Sequence, residues 1–313
     1  MAKIGIVTFH SALNYGAVLQ CLSTVEWLRS QGHQPFVLDY RPAAMRFHPF
    51  RWDAGRWQAE GLPYLLKWLP TSLRRLQRKA LFGRFCRRNL PLVPFSEAGN
   101  MDLILLGGDQ IWNPALTGGP DPVYTGDFLP HLPKLAWSAS CGKTLPDSSA
   151  LTPCLERLQA VSVREEALER MIPGSVQLPD PALLLSAERW KQRVHPVSGP
   201  YVLAFPMSED AKVLDLAREK ARELGVPLKI LSQRASLQRD RIQGAGPDDF
   251  LSLVCGAAQV VTSSFHGALF ARIFDRPLTL VAADGDPRFQ GFDSFSCADA
   301  QARALEFIHP FLP

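Results

Sequence analysis

The sequence predicts an α/β protein built from two open parallel-sheet domains that face one cleft. Three observations predict it. Short apolar runs of strand length alternate with helix-length stretches along both halves of the chain. At 313 residues the chain is long enough for two cores. Pro196 to Pro200 reads as a linker, and a second β-α series begins just after it. The expected domains are therefore 1–195 and 196–313.

Lys3 to Phe9 is a continuous apolar run, the first strand. Asn14-Tyr15-Gly16 turns the chain into a helix that runs to about Gln31. Val18, Leu22, Val25 and Leu28 share one face at helical spacing, and Gly32 is a natural stop. Phe36-Val37-Leu38-Asp39 is the next strand. This β-α-β unit places Asn14, Tyr15 and Gly16 at a helix start, where a ligand is expected. The Gly-x-Gly-x-x-Gly pattern is missing, which counts against a dinucleotide site.

Residues 42 to 98 break the alternation and read as a helical insertion in the first domain. They carry Arg74-Arg75, Arg78-Lys79, Arg84 and Arg87-Arg88 among prolines and tryptophans. Three readings of 74–88 stay open: a peripheral contact with an anionic membrane, a basic face for a phosphorylated acceptor, or a solvated helix face with the tryptophans packed inward.

Asp102 to Leu106 is a strand that ends in Gly107-Gly108-Asp109-Gln110-Ile111-Trp112-Asn113-Pro114. The glycines would allow close approach of a ligand. Asp109, Gln110 and Asn113 are sugar-hydroxyl partners by type, and Trp112 is expected to stack on a sugar ring. Lys134 to Ser138 and Val161-Ser162-Val163 are further strands. Arg164 stands at a strand end, directed toward the ligand edge as a carboxylate or phosphate clamp. Glu165 and Glu166 read as ordinary complements to a helix dipole. Gln177 to Pro181 is a last edge strand and turn.

In the second half, Tyr201 to Phe205 is a strand, Glu209 to Leu224 a helix and Leu228 to Ser232 a strand. A helix from Pro247 to Ala257 leads to Ala258–Thr262, another strand. The corner Ser263-Ser264-Phe265-His266-Gly267 then opens an apolar helix that Asp275-Arg276-Pro277 stops. Leu278 to Ala282 is one more strand, and a terminal helix from about 298 to 311 closes the chain. Free amides at a helix start attract anions, and His266 adds a donor beside Gly267. From the residues alone this corner is an anion site or a packing histidine. The two-Rossmann-like-domain plan is glycosyltransferase-B-like, a likeness of fold only.

Composition narrows the function classes. Hydrophobic content of 46% and charged content of 20% suit a globular protein. No apolar run reaches the ~20 residues that span a bilayer, and Met1–Val7 reads as a strand rather than a signal peptide. Six scattered cysteines without a Cys-x-x-Cys pair suit reduced thiols in the cytoplasm and argue against a zinc site. A net charge of +4 does not indicate nucleic acid. No metal site is expected.

Four segments in this order resemble the polysaccharide pyruvyl transferase family: Ile4–Val7 through Asn14–Ala17, Gly107–Pro114, Val163–Glu166 with Asp180-Pro181, and Ser264–Gly267. The resemblance implies transfer of pyruvate from phosphoenolpyruvate, as co-substrate and with no other cofactor, to a sugar of a cell-surface polysaccharide or its lipid-linked precursor, as a ketal. It implies a cytoplasmic enzyme, peripheral at the inner face of the membrane if residues 74–88 touch it. Arg164 and His266 are implied to hold the donor anion, with Ser263, Ser264, Phe265, Gly267 and Arg288 around it on the second domain. Asn14, Tyr15, Gly16, Gly108, Asp109, Gln110, Trp112 and Asn113 form the acceptor side on the first. Where some members carry an arginine two residues before the histidine, this chain has Ser264, and Arg288 is the candidate for an arginine further on. The alternatives are a nucleotide-sugar glycosyltransferase, with Glu209 or Asp248-Asp249 near the ribose, and a non-catalytic glycan-binding module, which needs neither Arg164 nor His266.

Overall fold

The structure, a computed structural model, describes residues 1–43, 50, 52, 54–143, 145–207, 210–232, 240–290 and 292–312. In chain order the elements are β1 Lys3–Val7, α1 Tyr15–Ser30, β2 Gln34–Asp39, α2 Ala54–Glu60, α3 Leu62–Asn89, β3 Leu92–Pro94, β4 Leu103–Gly107 and α4 Pro114–Thr117. There follow β5 Lys134–Ala139, α5 Ser148–Leu155, β6 Ala160–Val163, α6 Glu166–Met171, β7 Val176–Gln177 and α7 Ala187–Lys191. The remainder is β8 Val202–Phe205, α8 Ala211–Leu224, β9 Leu228–Leu231, β10 Arg241–Ile242, α9 Pro247–Cys255, β11 Gln259–Thr262, α10 Phe265–Ile273, β12 Leu278–Leu280 and α11 Cys297–Ile308.

The strands form two separate Rossmann-like parallel sheets, as expected. One has the order β3-β2-β1-β4-β5-β6-β7 and the other β10-β9-β8-β11-β12. A parallel sheet is covered on both faces, so its strands must be apolar throughout. Ile4, Ile6 and Val7 of β1 and Leu103 to Leu106 of β4 are accordingly buried. In the second sheet Val202, Leu203, Ala204, Val260 and Val261 have no exposed surface.

The chain divides into two compact units, Met1–Arg46 with Cys86–Ser186 and Asp284–Pro313, and Phe47–Phe85 with Ala187–Ala283. This differs from the expected division at 195/196 in two places. The terminal helix α11 belongs to the first unit: it buries Ala300, Ala304 and Ile308, and Gln301 donates to the Leu184 carbonyl at 2.8 Å. Most of the expected first-domain insertion belongs to the second unit. Arg74 donates to Gln243, and Gln77 and Leu81 close against Gly244 and Gly246, where a Cβ would lie 3.2 Å from each.

Each unit has its own core. In the first, α1 is buried nearly all round, not on one face only, because the Pro181–Leu184 turn lies over it. Ser23 donates to the Pro181 carbonyl, and Trp27 stacks on Trp137 with ring centroids 5.6 Å apart. In the second, Phe250, Phe270 and Trp190 meet edge to face at 5.1 and 5.7 Å, the geometry aromatic rings favour.

Candidate functional site

In each sheet the order of strands reverses once, between β1 and β4 in the first and between β8 and β11 in the second. Ligands of open α/β sheets bind beyond the carboxyl ends of the strands at such a switch. Thr8 to His10 and Gly108-Asp109 follow the first pair of strands, and Met207 and Ser263 to His266 flank the second.

At the second switch the corner is tied down residue by residue. The Thr262 hydroxyl donates to the Phe205 carbonyl at 2.5 Å and accepts from the Ser264 amide at 3.0 Å. Ser264 is the N-cap of α10, accepting from the Gly267 amide at 3.3 Å. Ser263 accepts from the Met207 amide at 3.2 Å, joining the ends of β11 and β8. His266 lies in the first turn of α10, 8% exposed, with its ring edge-on to Phe265 at 5.3 Å. The expected donor residues Ser263 to Gly267 are thus brought together. Gly267 has another cause than ligand approach: a Cβ there would meet Thr262 Oγ1 at 2.7 Å and Phe205 Cδ1 at 2.8 Å. It is glycine because the helix packs so closely on the strand.

Arg288, the expected arginine further on, has a partner of its own. It belongs to the first unit, where it is buried and grips Asp286 with Nε to Oδ1 at 3.0 Å and Nη2 to Oδ2 at 2.7 Å. Lys143 approaches the same carboxylate at 3.6 Å.

At the first switch, Asn14 caps α1, accepting from the Gly16 amide at 3.0 Å, while Tyr15 and Gly16 are buried. Gly107 is required by the neighbouring strand, since its Cβ would fall 2.1 Å from the Trp137 carbonyl oxygen. Gly108 has φ +88, a backbone state that favours glycine. The expected sugar-binding cluster is largely turned inward. Trp112 is 4% exposed and donates Nε1 to the Tyr124 carbonyl at 3.1 Å, so its ring is core rather than a stacking surface. Asn113 caps α4 and donates to Gln110 at 2.8 Å. Asp109 is buried, and its carbonyl accepts from the Ser140 amide at 3.2 Å.

Arg164, the expected clamp, is engaged with side chains of its own unit. Its Nη1 donates to Asp180 at 2.9 Å and its Nη2 to Ser140 at 2.6 Å and Glu165 at 3.3 Å. Burial opposes its charge, but Glu165, Asp180 and Asp109 outweigh that and hold its pKa above the ordinary value. Asp180 also accepts from Gln20 at 2.5 Å and, through Oδ1, from the Ala182 amide at 2.9 Å. The guanidinium therefore ties β6, the Asp180-Pro181 turn and the end of β5 together.

Sequence reasoning missed several members of this edge. Glu165, read as a dipole complement, is 2% exposed and accepts from Ser140. His10 closes β1 with Nε2 2.9 Å from Asp39, which also takes a bidentate pair from Arg41 at 2.6 and 2.8 Å. Tyr40 donates to Asp121 at 2.9 Å, and burial together with that carboxylate pushes its pKa up to about 12. Thr8 Oγ1, Gln20 Oε1 and Glu165 Oε2 are buried without a hydrogen bond among the described residues. Buried polar atoms are normally satisfied, so three around one switch point mark it as a place for polar ligands or water. The signal available was position: each follows a strand end or the helix beside it.

The polysaccharide pyruvyl transferase family model matches residues 14–285, through both sheets. The chain belongs to the polysaccharide pyruvyl transferase family. The chain matches none of the curated proteins. It is similar in structure to the glycosyltransferase SsfS6 of Streptomyces sp. SF2575, at 16% identity and TM-score 0.40 over 98% of this chain and 86% of that one. It is also similar to the Methanocaldococcus jannaschii UDP-GlcNAc 2-epimerase in complex with UDP-GlcNAc and UDP (10%, 0.46, 97% and 91%). A putative UDP-N-acetylglucosamine 2-epimerase from Listeria monocytogenes is similar at 9% and 0.49, over 98% and 88%. At these values the likenesses carry no inference about chemistry. Of the carboxylates considered for a ribose, Asp248 pairs with Arg193 at 3.2 Å and Asp249 caps α9 by accepting from the Gly246 amide at 2.7 Å, so both are explained by the helix start. Glu209 lies outside the described residues.

Proposed function

We propose that the chain transfers the pyruvyl group of phosphoenolpyruvate to a sugar of a cell-surface polysaccharide or of its lipid-linked precursor, forming a cyclic ketal in the cytoplasm. The observation that carries this reading is the family match over residues 14–285. The chemistry is balanced without a further reactant. One acceptor hydroxyl adds to the central carbon of the enolpyruvate while the methylene carbon takes a proton and becomes a methyl group. The carbon–phosphate ester bond breaks, and a second hydroxyl closes the ring. Of the two hydroxyl protons, one is accounted for by the methyl group and the other by inorganic phosphate.

The donor anion is assigned to the first turn of α10. Ser263 and His266 stand at the β8/β11 switch, and the helix start supplies amides and partial positive charge. His266 donates a hydrogen bond to the phosphate of phosphoenolpyruvate and carries protons, since an imidazole can both give and accept them. Arg164 acts as a positioning residue, holding Ser140, Glu165 and Asp180 at the carboxyl edge of the first sheet. The acceptor is assigned to that edge, near Gly108, Thr8 and Asn14.

The test is a thermal-shift titration of the full chain with phosphoenolpyruvate, uridine diphosphate sugars and inorganic phosphate, on wild type, His266→Ala and His266→Gln. A ligand at 100 times its dissociation constant stabilises by about 2.7 kcal/mol. A shift with phosphoenolpyruvate that both variants lose is expected. A shift only with a nucleotide sugar overturns the donor assignment.

A further inference from the structure

One face of α3 carries a row of exposed leucines. Leu62, Leu66, Leu69 and Leu73 recur at four- and three-residue steps and so share one face of the helix. They are 62, 65, 49 and 54% exposed, and Leu65 beside them is 37% exposed. From Leu62 to Leu73 the line is about 16 Å long. Next to it lie three aromatic rings that are also exposed, Phe50, Trp52 and Trp57. Trp52 joins them to the helix, with ring centroids 5.0 Å from Tyr64 and 5.3 Å from Trp68. The opposite side of α3 is the buried one, carrying Tyr64, Thr71, Arg78 and Phe82. Five leucines and three aromatic rings in one exposed area are a patch with a purpose, not scattered surface residues.

Charge selects the partner. Residues 62–89 contain eight Lys and Arg and no Asp or Glu, while the whole chain is only +4. The positive charge of the protein is therefore concentrated in this one helix. Arg84 is exposed on it, eleven residues beyond Leu73 and so on the same face as the leucines. A second copy of the chain would bring two all-basic helices together, which repels. Leucine and tryptophan beside arginine on a helix with no acid match an anionic bilayer surface: the apolar side chains enter the headgroup boundary, and the cations meet lipid phosphates. Among the described residues no helix is long and apolar enough to cross a membrane, so any contact of α3 is made from one side.

We propose that α3 docks the protein on an anionic membrane surface, with Leu62 to Leu73 and the exposed tryptophans in the interface and Arg84 on the lipid phosphates. The contact expected from the basic run 74–88 thus has its apolar half N-terminal to that run. The surface stands on exposure and charge alone and holds whether or not the transfer reaction is assigned correctly.

The test is flotation of the full chain with phosphatidylcholine vesicles and with phosphatidylcholine–phosphatidylglycerol vesicles, at low and high salt. Wild type floats with the anionic vesicles only, and less at high salt. Leu66→Ser with Leu69→Ser weakens the association about tenfold or more, and Arg84→Glu lowers its dependence on anionic lipid. Both variants are on the surface and melt with wild type; if the serine pair melts early, Leu66→Gln with Leu69→Gln repeats the measurement. No flotation of wild type, or equal flotation of the leucine variants, overturns the proposal. So does a wild-type dimer by light scattering that the leucine variants lose, because the face would then bind a second copy.

Discussion

Gly267 lies against Thr262 so closely that a Cβ on the glycine would stand 2.7 Å from the threonine hydroxyl oxygen. That hydroxyl cannot easily turn aside, since it donates to Phe205 and accepts from Ser264. Gly267→Ala is therefore expected to lower stability by about 1–3 kcal/mol, the usual range for overpacking. Urea denaturation checks it. An unchanged midpoint would mean that the glycine serves ligand approach instead.

Arg164→Gln is expected to destabilise the free protein by about 3–5 kcal/mol, because Asp180 and Glu165 would remain buried without their countercharge. Arg164→Lys should recover only part of this, as one ammonium cannot reach Asp180 and Ser140 in the same geometry. A residue that served only to clamp the donor would leave the melting temperature of the ligand-free protein unchanged. Calorimetry of the three proteins separates the two roles.

Burial lowers the pKa of His10 below its ordinary 6.5, more than Asp39 raises it. Below 6.5 the unfolded chain then binds the proton more readily than the folded one, so stability falls with falling pH. The contribution is complete above 6.5 and is lost as pH drops from there toward the folded value. His10→Gln should flatten this part of the profile. Asp39, whose pKa is lowered below 3.8 as Arg41 and His10 outweigh its burial, adds a separate loss at more acid pH. Denaturation midpoints across pH for both proteins are the measurement.

Trp112→Phe is expected to cost about 1–3 kcal/mol by leaving the buried Tyr124 carbonyl without its donor. Apparent KM for the acceptor should hold steady. A raised KM with unchanged stability would restore the stacking role inferred from residue type.

Much of this architecture was legible because it is local. The apolar runs of β1, β4 and β11 and the spacing of Val18, Leu22, Val25 and Leu28 locate their elements without tertiary knowledge. The corner at Ser263–His266 was legible too, since a strand, a cap and a helix start follow one another there. β3 and β10 were missed: three and two residues long at sheet edges, they are defined by their neighbours rather than by periodicity. The inward turn of Trp112 was equally invisible, as its partner Tyr124 sits in a loop. Glu165 and Ser140 are 25 residues apart, and Gln20 and Asp180 are 160 apart. Such pairs exist only after the sheet forms, and residue type alone assigned Glu165 to its helix dipole.

The division of the chain has a consequence for synthesis. Because α11 completes the first unit, that unit's core cannot close until α11 leaves the ribosome, long after its strand β1. Domains usually fold one after another as the chain emerges, from the N-terminus. Here the second unit, whose segments lie between Phe47 and Ala283, can finish first. The nascent first unit must meanwhile wait with the helix-covered side of its Pro181–Leu184 turn open, a window in which chaperones would find it.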